Sequence, residues 1–207
     1  FYQILNINNI LASSIGTLGF KYDNKIILNN LTSPDTITLD KILEKLKKNN
    51  INNVIIEASS HGLDQSRLNH INCKAGIFTN FSQDHLDYHK TMKAYLNAKL
   101  TLFSKLLPNK SFVISDKLNK QFSIIKNISK KRKLRLLDIT NKINQISNMP
   151  NWLVGTFQKK NLMMAILAAK ICGLKSHKIN NILRKIKNVT GRLELIKRFP
   201  NNIRVFI

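Results

Sequence analysis

This 207-residue chain is short of acid: 11 Asp plus Glu stand against 34 Lys plus Arg, a formal charge of +23. It is also short of cysteine, with Cys73 and Cys172 only, which excludes a disulfide-stapled secreted scaffold. Seven Gly and four Pro exclude collagen-like and low-complexity classes. The longest apolar run, Leu162 to Ala169, is far below the ~20 residues of a membrane-spanning helix, and no signal-peptide pattern opens the sequence. The expected setting is therefore a reducing cytoplasm with no membrane partner. What is present suffices for a core: 43% hydrophobic residues in a chain of one domain's length.

The charge suggests a nucleic-acid binder. Its make-up argues otherwise, because 27 Lys accompany only seven Arg, whereas base and phosphate readout favours the Arg fork. Lys, Asn (27) and Ile (28) together fill 82 of the 207 positions. All three have AT-rich codons, so compositional drift explains the bias without selection for nucleic acid. The rare acids are then the better guide to function.

Short β-branched runs alternate with helical stretches, predicting an α/β fold with a mostly parallel sheet flanked by helices. Helices are expected at 38–48, 91–107, 158–172 and 176–187, with Gly173 as a C-cap. Strands are expected at 54–56 (buried on both faces), 75–79, 111–115, 134–139, 193–198 and 203–207. Residues 140–152 form a polar, Asn-rich connection, and 126–135 a solvated Lys-rich surface. Because the chain starts at Phe1 and stops at Ile207 inside a β-like run, it is expected to be a piece of something longer.

In parallel α/β sheets ligands bind beyond the carboxyl ends of the strands. Two strand ends here lead into polar clusters, Glu57-Ala58-Ser59-Ser60-His61-Gly62 and Asn80-Phe81-Ser82-Gln83-Asp84-His85. Glu57, one of three Glu, can supply an oxygen to Mg²⁺; a solvated strand-end charge is the alternative. Asp84 to His89 packs two carboxylates and two imidazoles into six residues, although their spacing matches no zinc finger or zincin. Lys99 shares a helical stripe with Met92, Leu96, Phe103 and Leu106. It either snorkels to water or is desolvated with a lowered pKa, and a neutral amine can add CO₂ to become a carbamate. Ser59, Gln65 and Arg67 can recognise a carboxylate or phosphate, Arg67 through its fork. Asn161, near a helix start, can hydrogen-bond a base or simply serve the first turn.

These residues occur in an ordered series: Gly16-Thr17-Leu18-Gly19, Thr32-Ser33-Pro34-Asp35, then Glu57 to Leu63 with Gln65 and Arg67. Thr79 to His89, Ala98-Lys99, Gly155 to Asn161 and Gly191-Arg192-Leu193-Glu194 complete it. The series closely resembles the central, ATP-binding domain of Mur ligases of the MurE type, the UDP-N-acetylmuramoyl-tripeptide synthetases of peptidoglycan synthesis, and covers nearly the whole of 1–207. The resemblance implies a P-loop-NTPase-like fold and a cytoplasmic ligase, expected to be monomeric, with ATP and Mg²⁺ as cofactors. It implies that UDP-MurNAc-dipeptide and a diamino acid are substrates, joined through an acyl phosphate. At matching positions, Thr32, Ser33, Ser59, Gln65 and Arg67 would hold the UDP-MurNAc-dipeptide. Glu57 would ligate one Mg²⁺ and His85 a second. Lys99 matches the family's carbamylated lysine (N6-carboxylysine), Asn161 its adenine contact and Arg192 a nucleotide-phosphate contact.

There are departures. The family's Gly-rich phosphate loop is expected just before Phe1, and the N-terminal UDP-binding and C-terminal domains are not in this sequence. Gln158 stands where the family usually has Asn, and Leu31 where a polar residue is common. The connection 140–152 is short, so the small β subdomain there is expected to be reduced or lost. Without the loop, no ligase turnover is expected from this chain alone. Two other readings compete: a decayed remnant that keeps the fold without activity, and a basic nucleic-acid-binding module with steeply salt-dependent binding. Whether the added amino acid is meso-diaminopimelate or lysine is not legible here.

Overall fold

The structure, a computed structural model, describes residues 1–23 and 25–189, and the backbone of two strands beyond them. Helix α1 (Tyr2–Ile7) leads into an antiparallel arm, β1 (Ala12–Gly16), β2 (Gly19–Tyr22) and β3 (Lys25–Ile27). Helix α2 (Thr36–Lys48), strand β4 (Asn53–Ile56) and the short α3 (Ser60–Asp64) follow. Next come β5 (Ala75–Ile77), α4 (Leu86–His89), α5 (Met92–Thr101) and β6 (Phe112–Ser115). Then α6 (Phe122–Lys131), β7 (Arg135–Asp138), α7 (Thr156–Ile171) and α8 (Ser176–Ile182) lead to β8 (Leu195–Arg198) and β9 (Arg204–Phe206), an antiparallel pair.

The strands form two sheets beside that terminal pair. One has the order β3-β2-β1-β4, with β1 and β4 parallel; the other, β5-β6-β7, is parallel throughout. The mixed α/β layering matches the sequence expectation, and the antiparallel arm adds to it. Strand β4 is half-buried rather than covered on both faces, because it is the edge of its sheet. The edges β4 and β5 border one large cleft.

Local chemistry accounts for the helices. Asp35 caps α2, its carboxylate accepting from the Thr38 amide at 3.0 Å, and Lys45, Lys47 and Lys48 sit in the last turn where the helix dipole favours cations. Leu39 and Leu46 are the buried stripe of that helix. Thr91 caps α5 through Ala94, and a π-helical turn, Leu102–Leu106, extends it and carries Phe103 into the core before Pro108. The 16-residue α7 buries eight residues, so it is apolar over most of its circumference and packs against α1, β5 and β6. Gly173, at φ +91°, closes α7 as predicted, with Leu174 N–H returning to the Ala169 carbonyl. Residues 140–152 carry one 3₁₀ turn, Thr140–Gln145, and no strand. No helix among the described residues is long and apolar enough to cross a membrane.

Candidate functional site

Parallel pairing of β1 with β4 continues one step past the strand, since the Glu57 amide donates to the Ile15 carbonyl at 2.8 Å. Glu57 thus sits at the carboxyl end of β4. The chain then turns into α3, capped by the Ser59 hydroxyl, which accepts from the Gly62 amide at 3.0 Å. A Cβ on Gly62 would stand 2.7 Å from Ser33 Cβ, which explains why this position has no side chain.

Ser33 is fully buried and serves the backbone: its hydroxyl donates to the Glu57 carbonyl at 2.7 Å and accepts from the Ser59 amide at 2.9 Å. Its own carbonyl accepts from Arg67 Nη1 at 2.9 Å, while Arg67 Nη2 donates to Gln65 Oε1. Gln65 Nε2 reaches the Tyr88 hydroxyl at 3.1 Å, and that hydroxyl donates to Asp64 at 2.9 Å. The Ser59–Arg67 segment is therefore fastened to the Asp84–His89 cluster. Tyr88 was not singled out from sequence; its place between two carboxylate- and imidazole-bearing residues was the available signal.

His85, at φ +53°, begins α4. Its ring lies 5.0 Å from that of His61 and 5.7 Å from Tyr95, with Asp84 at 3.6 Å from Nδ1. His89 lies behind them, buried, stacked on Tyr95 at 5.3 Å, with Nε2 unpartnered; burial holds its pKa below the usual imidazole value.

Lys99 is half-buried and partly desolvated. Its Nζ lies over the rings of Phe78 (5.7 Å) and Tyr95 (5.4 Å), and burial pushes its pKa down, opposed by Asp84. Among the described residues no carboxylate lies within ion-pair distance of it. Glu57 is equally without an ion pair among the described residues, of which Thr17 alone holds its carboxylate, by N–H and O–H to Oε2.

Thr32, Glu57, Ser59, Arg67, His85, Lys99 and Asn161 line the same cleft, of about 2310 Å³. Ser33 and Gln65 stand behind that lining as braces. Arg192 lies outside the described residues. A smaller depression of about 400 Å³ between β3 and α2 contains none of the predicted site residues. Asp116, absent from the sequence reading, and Lys160, read there only as part of the Gly155 to Asn161 series, also line the cleft. Lys160 Nζ pairs with the buried Asp116 at 2.5 Å, fixing the turn of α7 that presents Asn161.

No group of three or more His, Cys, Asp or Glu among the described residues is close enough to cage a metal. The oxygen of Glu57 suits Mg²⁺ nonetheless, because that ion characteristically takes one or two protein ligands and completes its shell with water and phosphate oxygens. Carbamylation of Lys99 would supply an oxygen ligand for a second ion, and burial shifts its pKa toward the neutral amine that reaction needs. The donor set fits.

The Mur ligase middle domain family matches residues 2–151. The UDP-N-acetylmuramoyl-L-alanyl-D-glutamate–2,6-diaminopimelate ligase of Rickettsia bellii is 36% identical over 95% of this chain and 47% of its own length. The ligase of the same name from Leptospira interrogans is 34% identical over 94% and 44%. A solved structure bearing that name superposes with a TM-score of 0.81 at 22% identity, covering 95% of this chain and 45% of the other. MurF from Acinetobacter baumannii superposes at 0.70 with 15% identity, over 96% and 45%. These superpositions speak for the fold alone, and the chain spans less than half the length of the curated relatives it matches.

Proposed function

Since the chain belongs to the Mur ligase middle-domain family, we propose that it is the ATP-binding domain of a ligase joining a diamino acid to UDP-MurNAc-L-Ala-D-Glu. The relatives are named for 2,6-diaminopimelate, which favours that amino acid over lysine. The observation that carries the reading is Lys99: a lysine pressed between Phe78 and Tyr95, without a carboxylate partner among the described residues, in the same cleft as Glu57, His85 and Asn161.

In this reading Thr32, Ser59 and Arg67 bind the UDP-MurNAc-dipeptide directly, while Ser33 and Gln65 orient Ser59 and Arg67. Asn161 contacts the adenine of ATP, and Arg192 its phosphates. Glu57 would hold one Mg²⁺, and His85 with carbamylated Lys99 a second; the ions would neutralise charge on the transferring phosphoryl group. The D-Glu carboxylate takes the γ-phosphoryl group of ATP, ADP leaves, and the amine attacks the acyl phosphate, expelling phosphate. Cationic groups at the cleft offset the charge that spreads over the oxyanion. The phosphate loop and the flanking domains belong to the complete polypeptide.

The test compares three samples for ATP-dependent formation of the UDP-MurNAc-tripeptide. The complete polypeptide should turn over and the 207-residue chain alone should not. Lys99→Ala in the complete polypeptide should abolish turnover, with partial rescue by formate or acetate. Undiminished activity of that variant would overturn the assignment of Lys99.

A further inference from the structure

The turn between β1 and β2 is built around a side chain 40 residues away. Thr17 gives both its N–H (2.8 Å) and its O–H (3.0 Å) to one oxygen, Oε2 of Glu57. Having spent its only hydroxyl proton there, Thr17 Oγ1 accepts from the Thr32 hydroxyl at 3.2 Å, giving a directed chain Thr32→Thr17→Glu57. The preceding residue makes room for it. A Cβ on Gly16 would lie 2.5 Å from Glu57 Oε2 and 2.9 Å from Glu57 Cβ, so only glycine admits the carboxylate in this position. Glu57 Oε1 accepts no hydrogen bond from any described residue, and no Lys, Arg or His pairs with this carboxylate among them.

An anion in a chain of charge +23 normally collects a cationic side chain. This one is instead clamped on one oxygen by neutral donors, and the other is left open. That is how ligating carboxylates are treated: hydrogen bonds from outside the metal shell fix the rotamer and select the ligating atom. We propose that Thr17 is a positioning residue for the divalent-cation site, holding Glu57 so that Oε1 is its ligating oxygen and coupling it through Thr32 to the bound dipeptide substrate. This rests on the reading of Glu57 as a Mg²⁺ ligand.

The experiment uses the complete polypeptide with a non-hydrolysable ATP analogue, titrated with Mn²⁺ and followed by the EPR signal of the free ion. Glu57→Gln defines the Glu57-dependent binding step. Thr17→Val, which keeps the amide and the shape but removes the hydroxyl, should weaken that step by about tenfold, the usual effect of losing an outer partner of a metal ligand. Thr17→Ser should restore it, and the thermal midpoints of both variants should match the parent's. A merely structural role would move the midpoint and not the Mn²⁺ affinity. If Glu57→Gln removes the step while Thr17→Val leaves it intact, the role of Thr17 is overturned and that of Glu57 stands. If Glu57→Gln leaves Mn²⁺ binding unchanged, the metal assignment beneath both fails.

Discussion

Gln65 donates to the hydroxyl of Tyr88 at 3.1 Å, and this contact fastens the segment after β4 to the helix that begins at His85. The same hydroxyl donates to Asp64 at 2.9 Å, so one phenol serves both sides of the joint. Gln65 in turn accepts from Arg67, which faces the cleft. The two polar strand ends are therefore one structural unit, although 23 residues separate Gln65 from Tyr88.

Tyr88→Phe should loosen that joint while keeping the ring that packs against His61 at 4.2 Å. Loss of a hydrogen bond worth about 1 kcal/mol should raise KM for the UDP-MurNAc-dipeptide about fivefold with little change in kcat. Steady-state kinetics of the complete polypeptide check this.

Gly62→Ala should destabilise the chain by about 2 kcal/mol, because the new methyl meets Ser33 Cβ and Oγ at 2.7 and 2.8 Å in a buried turn. Urea denaturation reads it. Ser33→Ala beside it should relieve part of the clash, making the two changes less than additive.

Lys160→Met should cost about 3 kcal/mol by leaving the Asp116 carboxylate buried without its cation. Burial alone would raise the pKa of Asp116, but Lys160, the Leu118 amide and the Thr140 hydroxyl outweigh it and hold the group below its usual range. Its contribution is therefore complete above the unfolded carboxylate pKa of about 4 and is lost as pH falls through the lower folded value. Asp116→Asn combined with Lys160→Met should recover part of the loss, as measured by denaturation at neutral pH.

His89 sets a second pH dependence. Its folded pKa is depressed by burial and by His61 and His85, against the opposing pull of Asp64 and Asp87. The unfolded chain thus takes up the proton first, and stability should be complete above about pH 6.5 and decline as pH falls below it. His89→Gln should flatten that slope in thermal midpoints measured between about pH 5 and 8.

The longer helices were legible in the sequence, α2 by its 3.6-residue stripe and α7 by its long apolar run. Among short elements, β4 to β7 were legible from their apolar or β-branched runs, whereas α1, the β1–β3 arm, α3 and α4 mix polar and apolar residues over too few turns of either period and emerge only in the structure. The ten-residue α6 went unread for another reason. Its Lys-rich end looks like solvated surface, yet Ile125 and Ser129 are buried on its inner side.

The sequence by itself determined the chemical inventory: rare acids and imidazoles at strand ends, and a lysine on an apolar stripe. Which of these atoms are available to a ligand was decided only by tertiary contacts. Ser33 has the residue type of a substrate contact, but its hydroxyl is taken by backbone groups 24 and 26 residues away. Glu57 offers two oxygens by its formula and one in the fold, because Thr17 occupies the other. Lys99 could have reached water freely or lost part of its hydration, and the rings of Phe78 and Tyr95 take part of it away. A residue's chemistry is local, whereas its free valence depends on neighbours that chain order does not place beside it.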